Sequence, residues 1–251
     1  MTEILPLLVF TVCSGLAAGA CVVNAFFPNK EQKRAWLFPL VCIVLLGIGL
    51  IGTLAHLGQP MRFIYGFSNP TAMISQEAYW SCGFGIVLLI AAILGKVKKS
   101  VPVALNILAA IAGAGLMIVT SLAYFLSFNY ESWCNPATFV LFIAGDLALG
   151  AALCMLFHNK ELLGKIGCII TIVVQAVLGV GCLLFLPFML DATMVMTIIA
   201  VIVGPVACIV MGVLGLKKGT LDRNLVIAIL ACAIVSAILM RYAFYASGMF
   251  V

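Results

Sequence analysis

The chain has 251 residues, of which 65% are hydrophobic and only 8% charged, and its mean hydropathy is +1.30. Because soluble domains are about 25% charged, this composition excludes an ordinary soluble protein and predicts an all-α integral membrane protein. The net charge of +5 does not indicate nucleic-acid binding, because the basic residues follow a pattern typical of membrane topology.

Eight apolar segments follow one another, each near the length of roughly 20 residues that a membrane-crossing helix requires. They lack the alternation of β-barrel strands, and a helix satisfies its own backbone polar groups in lipid. The first is expected to be a retained helix and not a cleaved signal peptide. The sequence therefore predicts one membrane domain, residues 1–251, forming a bundle of eight transmembrane helices. Their expected ranges are 4–27, 36–57, 77–95, 101–125, 136–157, 166–186, 192–214 and 224–246.

The loops alternate in charge. Those after the first, third, fifth and seventh helices contain 11 of the 13 lysines and arginines: Lys30, Lys33, Arg34, Lys96, Lys98, Lys99, Lys160, Lys165, Lys217, Lys218 and Arg223. Basic loops stay in the cytoplasm, so both termini and the 58–76 loop are expected on the outer side. The pattern predicts a multi-pass protein of the cell inner (cytoplasmic) membrane.

Two sequence patterns describe the helices further: glycines within them and Asn-Pro pairs before them. Glycine within a membrane helix indicates close helix packing, which is expected at Gly15, Gly19, Gly47 and Gly52. Asn-Pro occurs at 69–70 and 135–136, before the third and fifth helices, and is a common signal of a helix start. Gly204-Pro205 is the one obvious candidate for a break within a helix.

The longest polar interruption, residues 55–80, holds the first candidate site. His56 ends the second helix and Glu77 is expected to start the third, where the helix dipole favours a carboxylate. Gln59 and Arg62 lie between them. Either these are interfacial polar residues and a helix-start charge, or the loop folds back and His56 and Glu77 exchange protons in one surface pocket.

Polar residues inside the helices form a second group. Asp146, near the middle of the fifth helix, is either a step in a proton path or a buried acid satisfied by a neighbouring helix. Arg241, followed by Tyr242, either snorkels outward or lines the outer pocket. Gln175 and Asn106 are interpreted as interhelical hydrogen-bonding residues.

The sequence predicts no metal group in this protein. Its two histidines, His56 and His158, fall on opposite sides of a core about 30 Å thick and cannot ligate one haem. The ten cysteines form no CxxC pair and are interpreted as small buried hydrophobes. We therefore expect no haem, no iron–sulfur cluster and no molybdenum.

The loop HLGQPMRFIYGFSNPTAMISQEAYW, the eight helices, the outward termini and RYAFY in the last helix together resemble a known family. They are similar to the membrane anchor subunit of the anaerobic dimethyl sulfoxide reductases, over nearly the whole sequence. The resemblance implies that menaquinol is bound and oxidised at the outer side, with the family's quinol-site histidine at His56 and its acidic residue at Glu77. Gln59, Arg62, Arg241 and Tyr242 complete the expected quinol pocket.

The same resemblance implies partners. Electrons would pass to an iron–sulfur subunit and on to a molybdopterin catalytic subunit, which reduces dimethyl sulfoxide or a related oxo compound in anaerobic respiration. Two rivals remain, a secondary transporter and a passive membrane scaffold. A transporter typically places its site at the midplane, between broken helices, whereas this polar cluster is at the surface.

Overall fold

The computed structural model describes residues 4–28, 34–56, 64–65, 67–157, 162–189 and 191–249, with positions 55, 56, 191 and 249 described for the backbone alone. Its helices are α1 Ile4–Phe26, α2 Leu37–His56, α3 Met73–Val97, α4 Val103–Phe125, α5 Ala137–Phe157, α6 Lys165–Phe185, α7 Asp191–Val201, α8 Ala207–Lys218 and α9 Arg223–Met249. Within these ranges, eight helical segments are long and apolar enough to cross a membrane.

The helices α1 and α5 form the centre of the bundle. In each of them 72% of the most apolar stretch is buried, compared with 28% in α2 and α3. The helix α1 packs against α2, α4, α5 and α9. The outer helices present large apolar side chains outward, as Ile86, Leu89 and Ile93 of α3 do. In lipid such exposure carries no hydrophobic penalty, so the bundle does not need to bury these faces.

Glycine allows α1 and α5 to meet backbone to backbone. A Cβ on Gly19 would overlap the Asp146 carbonyl, and a Cβ on Gly150 would overlap the Gly19 backbone. The packing interpretation is thereby confirmed for Gly19, and Gly15 and Gly52 are similarly restricted. It is wrong for Gly47, because a Cβ there would meet nothing within 4 Å.

The seventh membrane span is broken as the sequence indicated. A π-helical turn, Ile202–Val206, joins α7 to α8 and contains Gly204 and Pro205. Proline lacks the backbone N–H that a regular α-helix would use here. Against this turn, the Ser236 hydroxyl of α9 donates to the Ala200 carbonyl at 2.8 Å, and a Cβ on Gly204 would overlap the Ser236 side chain. The break is therefore packed tightly against α9.

The two Asn-Pro pairs precede helices, as expected. The Asn69 Oδ1 atom accepts a hydrogen bond from the Thr71 backbone N–H at 3.3 Å, and Asn135 Oδ1 accepts one from the Ala137 N–H at 3.0 Å. Each asparagine thus bonds the backbone two residues ahead, the usual geometry of an Asx turn. The loop that contains the second pair also contacts the end of α9, through the indole of Trp133.

Candidate functional site

Glu77 lies inside the bundle, in the second turn of α3. The helix begins at Met73, four residues earlier than Glu77, so no acidic residue occupies its first turn. The helix-dipole argument for Glu77 therefore does not apply. Instead, the carboxyl group is buried against α4, where it interacts with the Thr120 side chain. Its position is set by packing between α3 and α4.

Two buried polar atoms on α3 have no hydrogen-bond partner among the residues that the structure describes. They are Glu77 Oε1 and Ser81 Oγ. Residues four apart lie on one face of a helix, so Glu77 and Ser81 share a face of α3. A buried polar atom without a partner costs about 1–3 kcal/mol. This face of α3 is therefore where a ligand hydroxyl or a water would gain hydrogen bonds.

A buried hydroxyl network lies near Glu77 and joins α1, α4 and α9. The Tyr245 hydroxyl of α9 is 3.0 Å from Thr11 Oγ1 of α1 and 3.1 Å from the Tyr124 hydroxyl of α4. Both tyrosines interact electrostatically with Glu77. Trp133 encloses the network, with its ring 5.5 Å from that of Tyr124 and its Nε1 donating to the Phe244 carbonyl at 2.8 Å. The result is a polar cluster inside aromatic walls.

Asp146 and Arg241 form an ion pair between α5 and α9. Arg241 Nη2 is 2.8 Å from Asp146 Oδ1, and the two side chains are only 6% and 5% exposed. The guanidinium also donates to the Phe142 carbonyl at 3.3 Å, and its Cζ lies 3.4 Å from the centre of the Phe142 ring. Snorkelling of Arg241 is therefore wrong, because its charge is satisfied inside the bundle. Asp146 is satisfied by a neighbouring helix, one of its two expected alternatives.

A small cavity borders this ion pair. It has a volume of about 20 Å³ and is lined by residues of α5, α6 and α9, including Gly145 and Arg241. Arg241 Nη1 is buried and has no hydrogen-bond partner in the described part of the protein. A space of this size holds about one water. A single water here would complete the hydrogen bonding of the guanidinium.

An interhelical hydrogen bond was expected of both Asn106 and Gln175, and among the described residues only Asn106 forms one. Asn24 Nδ2 of α1 donates to Asn106 Oδ1 of α4 at 3.2 Å, which confirms the interhelical bond expected of Asn106. The same expectation is wrong for Gln175. Its amide is buried, and neither polar atom has a partner within the described ranges.

The structure places the remaining predicted residues as follows. His56 is the last residue of α2, at the same end of the bundle as the start of α3, but its side chain is outside the described set. Gln59, Arg62 and His158 are also outside the described residues. Tyr242 is half-buried on α9, beside Arg241.

Sequence reasoning missed Ser81, Thr120, Tyr124 and Tyr245. One signal could have found two of them, because Ser81 and Tyr245 are four residues after Glu77 and Arg241 respectively. Side chains at this spacing share a helix face. The described residues contain no group of three or more His, Cys, Asp or Glu that could hold a metal ion. The ten cysteines are free.

Comparison with known proteins gives two matches. A family model described as DMSO reductase anchor subunit (DmsC) matches residues 1–211. The sequence is also 32% identical, over 171 residues, to the C chain of the anaerobic dimethyl sulfoxide reductase of Haemophilus influenzae. That alignment covers 62% of this protein and 60% of the relative, so the match spans about three-fifths of the relative's length. The family match includes His56, Glu77 and Asp146 and ends before Arg241 and Tyr245.

Proposed function

Because this chain belongs to the family of DMSO reductase anchor subunits, we propose that it anchors a molybdoenzyme complex in the cytoplasmic membrane and oxidises menaquinol there. The observation that carries the proposal is the buried Glu77 Oε1, which lacks a hydrogen-bond partner among the described residues. A quinol hydroxyl is a donor of the type that this oxygen can accept. The apolar ring and isoprenoid tail of menaquinol suit a site between membrane helices.

The reaction requires two proton acceptors. Menaquinol loses two protons and two electrons when it becomes menaquinone, and the proposal assigns the protons to Glu77 and His56. An imidazole with a usual pKa of about 6.5 can accept a proton near neutral pH. The Thr120 side chain is a polar neighbour of the Glu77 carboxyl group on α4.

Arg241 has a different role from the one expected. Its charge is already balanced by Asp146, 2.8 Å away, so it is a poor candidate for stabilising negative charge on the quinol oxygen. The proposal gives that role to Arg62 alone, with Gln59 as a further polar contact. Arg241 and Asp146 instead hold α9 and its Tyr245 in place beside the site.

The electrons must leave the anchor. We assign them to an iron–sulfur subunit, and then to a molybdopterin catalytic subunit that reduces dimethyl sulfoxide or a related oxo compound. The supporting observation is the name of the relative, which belongs to an anaerobic dimethyl sulfoxide reductase. Within the anchor, the rings of Tyr124 and Trp133 pack edge to face, 5.5 Å apart, beside the proposed site.

The proposed topology puts the Glu77 end of the bundle outside. The basic loops lie at the opposite end, and positively charged loops stay in the cytoplasm. In intact cells, a membrane-impermeant maleimide is expected to label a Ser68→Cys variant more strongly than Ser100→Cys, whose side chain lies at the other end. The unaltered protein, with its ten cysteines, supplies the background. Labelling in the reverse order would overturn this topology.

The function is tested on the complex isolated in mild detergent. Iron–sulfur and molybdenum proteins are expected to co-purify with the anchor, and a menaquinol analogue should reduce the iron–sulfur centre, as detected by electron paramagnetic resonance. A quinone-site inhibitor should prevent this reduction. An anchor that purifies without those proteins would favour the transporter. Co-purification without quinol-dependent reduction would favour the passive scaffold.

A further inference from the structure

A large cavity lies at the other end of the bundle from Glu77. It has a volume of about 650 Å³ and is enclosed by α1 to α5 with the start of α9. Ligand pockets in proteins typically measure about 300–1,000 Å³. Neither the proposed quinol site nor the Asp146–Arg241 pair extends to this end, so the proposed function leaves the cavity unexplained.

Three cations from separate segments line the cavity at the end of the bundle. They are Arg34 before α2, Lys99 after α3 and Arg223 at the start of α9. None of the lining residues is acidic. Across the described ranges, none of the three cations forms an ion pair. Three like charges around one cavity repel one another, so an anion bound between them would be stabilised.

Lys99 directly follows the end of α3. Its φ angle is 56°, the left-handed conformation in which helices commonly terminate. The chain turns here out of α3, and Lys99, Ser100 and Val101 all line the cavity. The turn thus contributes both a cation and a hydroxyl group to the lining.

Away from the three cations the lining changes from polar to apolar. The Asn24–Asn106 pair lies on the wall, joined by its 3.2 Å hydrogen bond. Leu88 of α3 and Cys21 of α1 lie among the apolar lining residues further from this end of the bundle. Leu88 precedes the end of α3, at Val97, by about nine residues of 1.5 Å each, so the cavity extends about 14 Å along that helix. A ligand that matches this gradient has an anionic head and an apolar tail.

We propose that this cavity binds an anionic phospholipid, with its phosphate between Arg34, Lys99 and Arg223 and an acyl tail along the apolar walls. A soluble anion would use the cations but leave the deep apolar walls without a partner. A quinol would use the walls but is uncharged. Basic pockets between membrane helices are a recognised type of phospholipid headgroup site.

The test compares two triple variants of the full protein, extracted with any subunits that remain bound. In the first, Arg34, Lys99 and Arg223 are changed to glutamine. The control changes Lys98, Lys165 and Lys217 to glutamine, which removes the same charge from exposed positions at the same end but outside the cavity lining. Native mass spectrometry measures the phosphatidylglycerol retained by each protein.

The unaltered protein and the control are expected to retain phosphatidylglycerol in preference to phosphatidylcholine. The affinity of the first variant for phosphatidylglycerol should be about 100-fold lower than that of the unaltered protein. The reason is that each of the three cations near a lipid surface contributes about fivefold. Equal retention by the two variants, or no preference for phosphatidylglycerol in the unaltered protein, would overturn the proposal. Thermal stabilisation by inorganic phosphate as strong as that by phosphatidylglycerol would overturn the lipid assignment. Thermal denaturation in phosphatidylcholine alone establishes that both variants are folded.

Discussion

Replacing Glu77 by glutamine is expected to slow oxidation of a menaquinol analogue by at least about 100-fold, the usual effect of losing a general base. The amide has nearly the shape of the carboxylate and can still contact Thr120, but it cannot take a proton at neutral pH. The measurement is quinol-dependent reduction of the iron–sulfur centre in the isolated complex, under conditions where the unaltered complex reacts fully.

The matched control for this change is Glu131→Gln. Glu131 is exposed in the loop between α4 and α5, at the same end of the bundle, so its replacement should leave the rate unchanged. A His56→Ala variant is expected to lose quinol oxidation altogether while the complex still assembles. A wild-type rate in either the Glu77 or the His56 variant would remove that residue from the proposed site.

Replacing Arg241 by alanine is expected to destabilise the folded protein by about 3–5 kcal/mol, the usual cost of breaking a buried ion pair from one side. The change leaves the Asp146 carboxylate in a site that is only 5% exposed, without its cation. A second change, Asp146→Asn, removes the unpaired charge and should recover part of the loss. Thermal denaturation of the detergent-solubilised protein, followed by tryptophan fluorescence, gives the comparison.

An exposed ion pair in the same protein provides the matched control. Lys218 and Asp222 are 3.7 Å apart and each is 63% exposed, so Lys218→Ala should cost no more than about 1 kcal/mol. If Arg241→Ala were as mild as Lys218→Ala, the buried pair would not hold α5 and α9 together. Equal stability of the Arg241→Ala protein with and without Asp146→Asn would show that the unpaired carboxylate is not the cause.

The membrane spans were predictable because each rests on local information. A long apolar run in lipid has few alternatives to a helix, and the π-helical turn was indicated by Gly204-Pro205. The start of α3 was less predictable. The polar residues before Glu77 look like loop, yet the helix begins at Met73.

The pairings within the candidate site were not predictable from one sequence. Asp146 and Arg241 were both recognised as costly residues, but they are 95 positions apart and nothing in either segment specifies the other. Tyr242 was selected because it follows Arg241, whereas Tyr245, one helical turn further on, is the tyrosine that joins the buried network. For Gln175 the sequence predicted a hydrogen bond that the described part of the chain does not form. Its position inside a membrane helix suggested an interhelical partner, and none exists among the described residues.

The location of Asp146 also has a consequence for biosynthesis. Its carboxylate lies against Gly15 of α1, where any side chain would overlap it, and its cation comes from α9. A polypeptide emerges from the ribosome with its N-terminal part first, so α1 and α5 are made well before α9. Until the last helix is inserted, the bilayer holds an acid with no counter-ion. Only the arrival of Arg241 completes the ion pair between α5 and α9, so this contact is fully formed only after the last helix has been inserted.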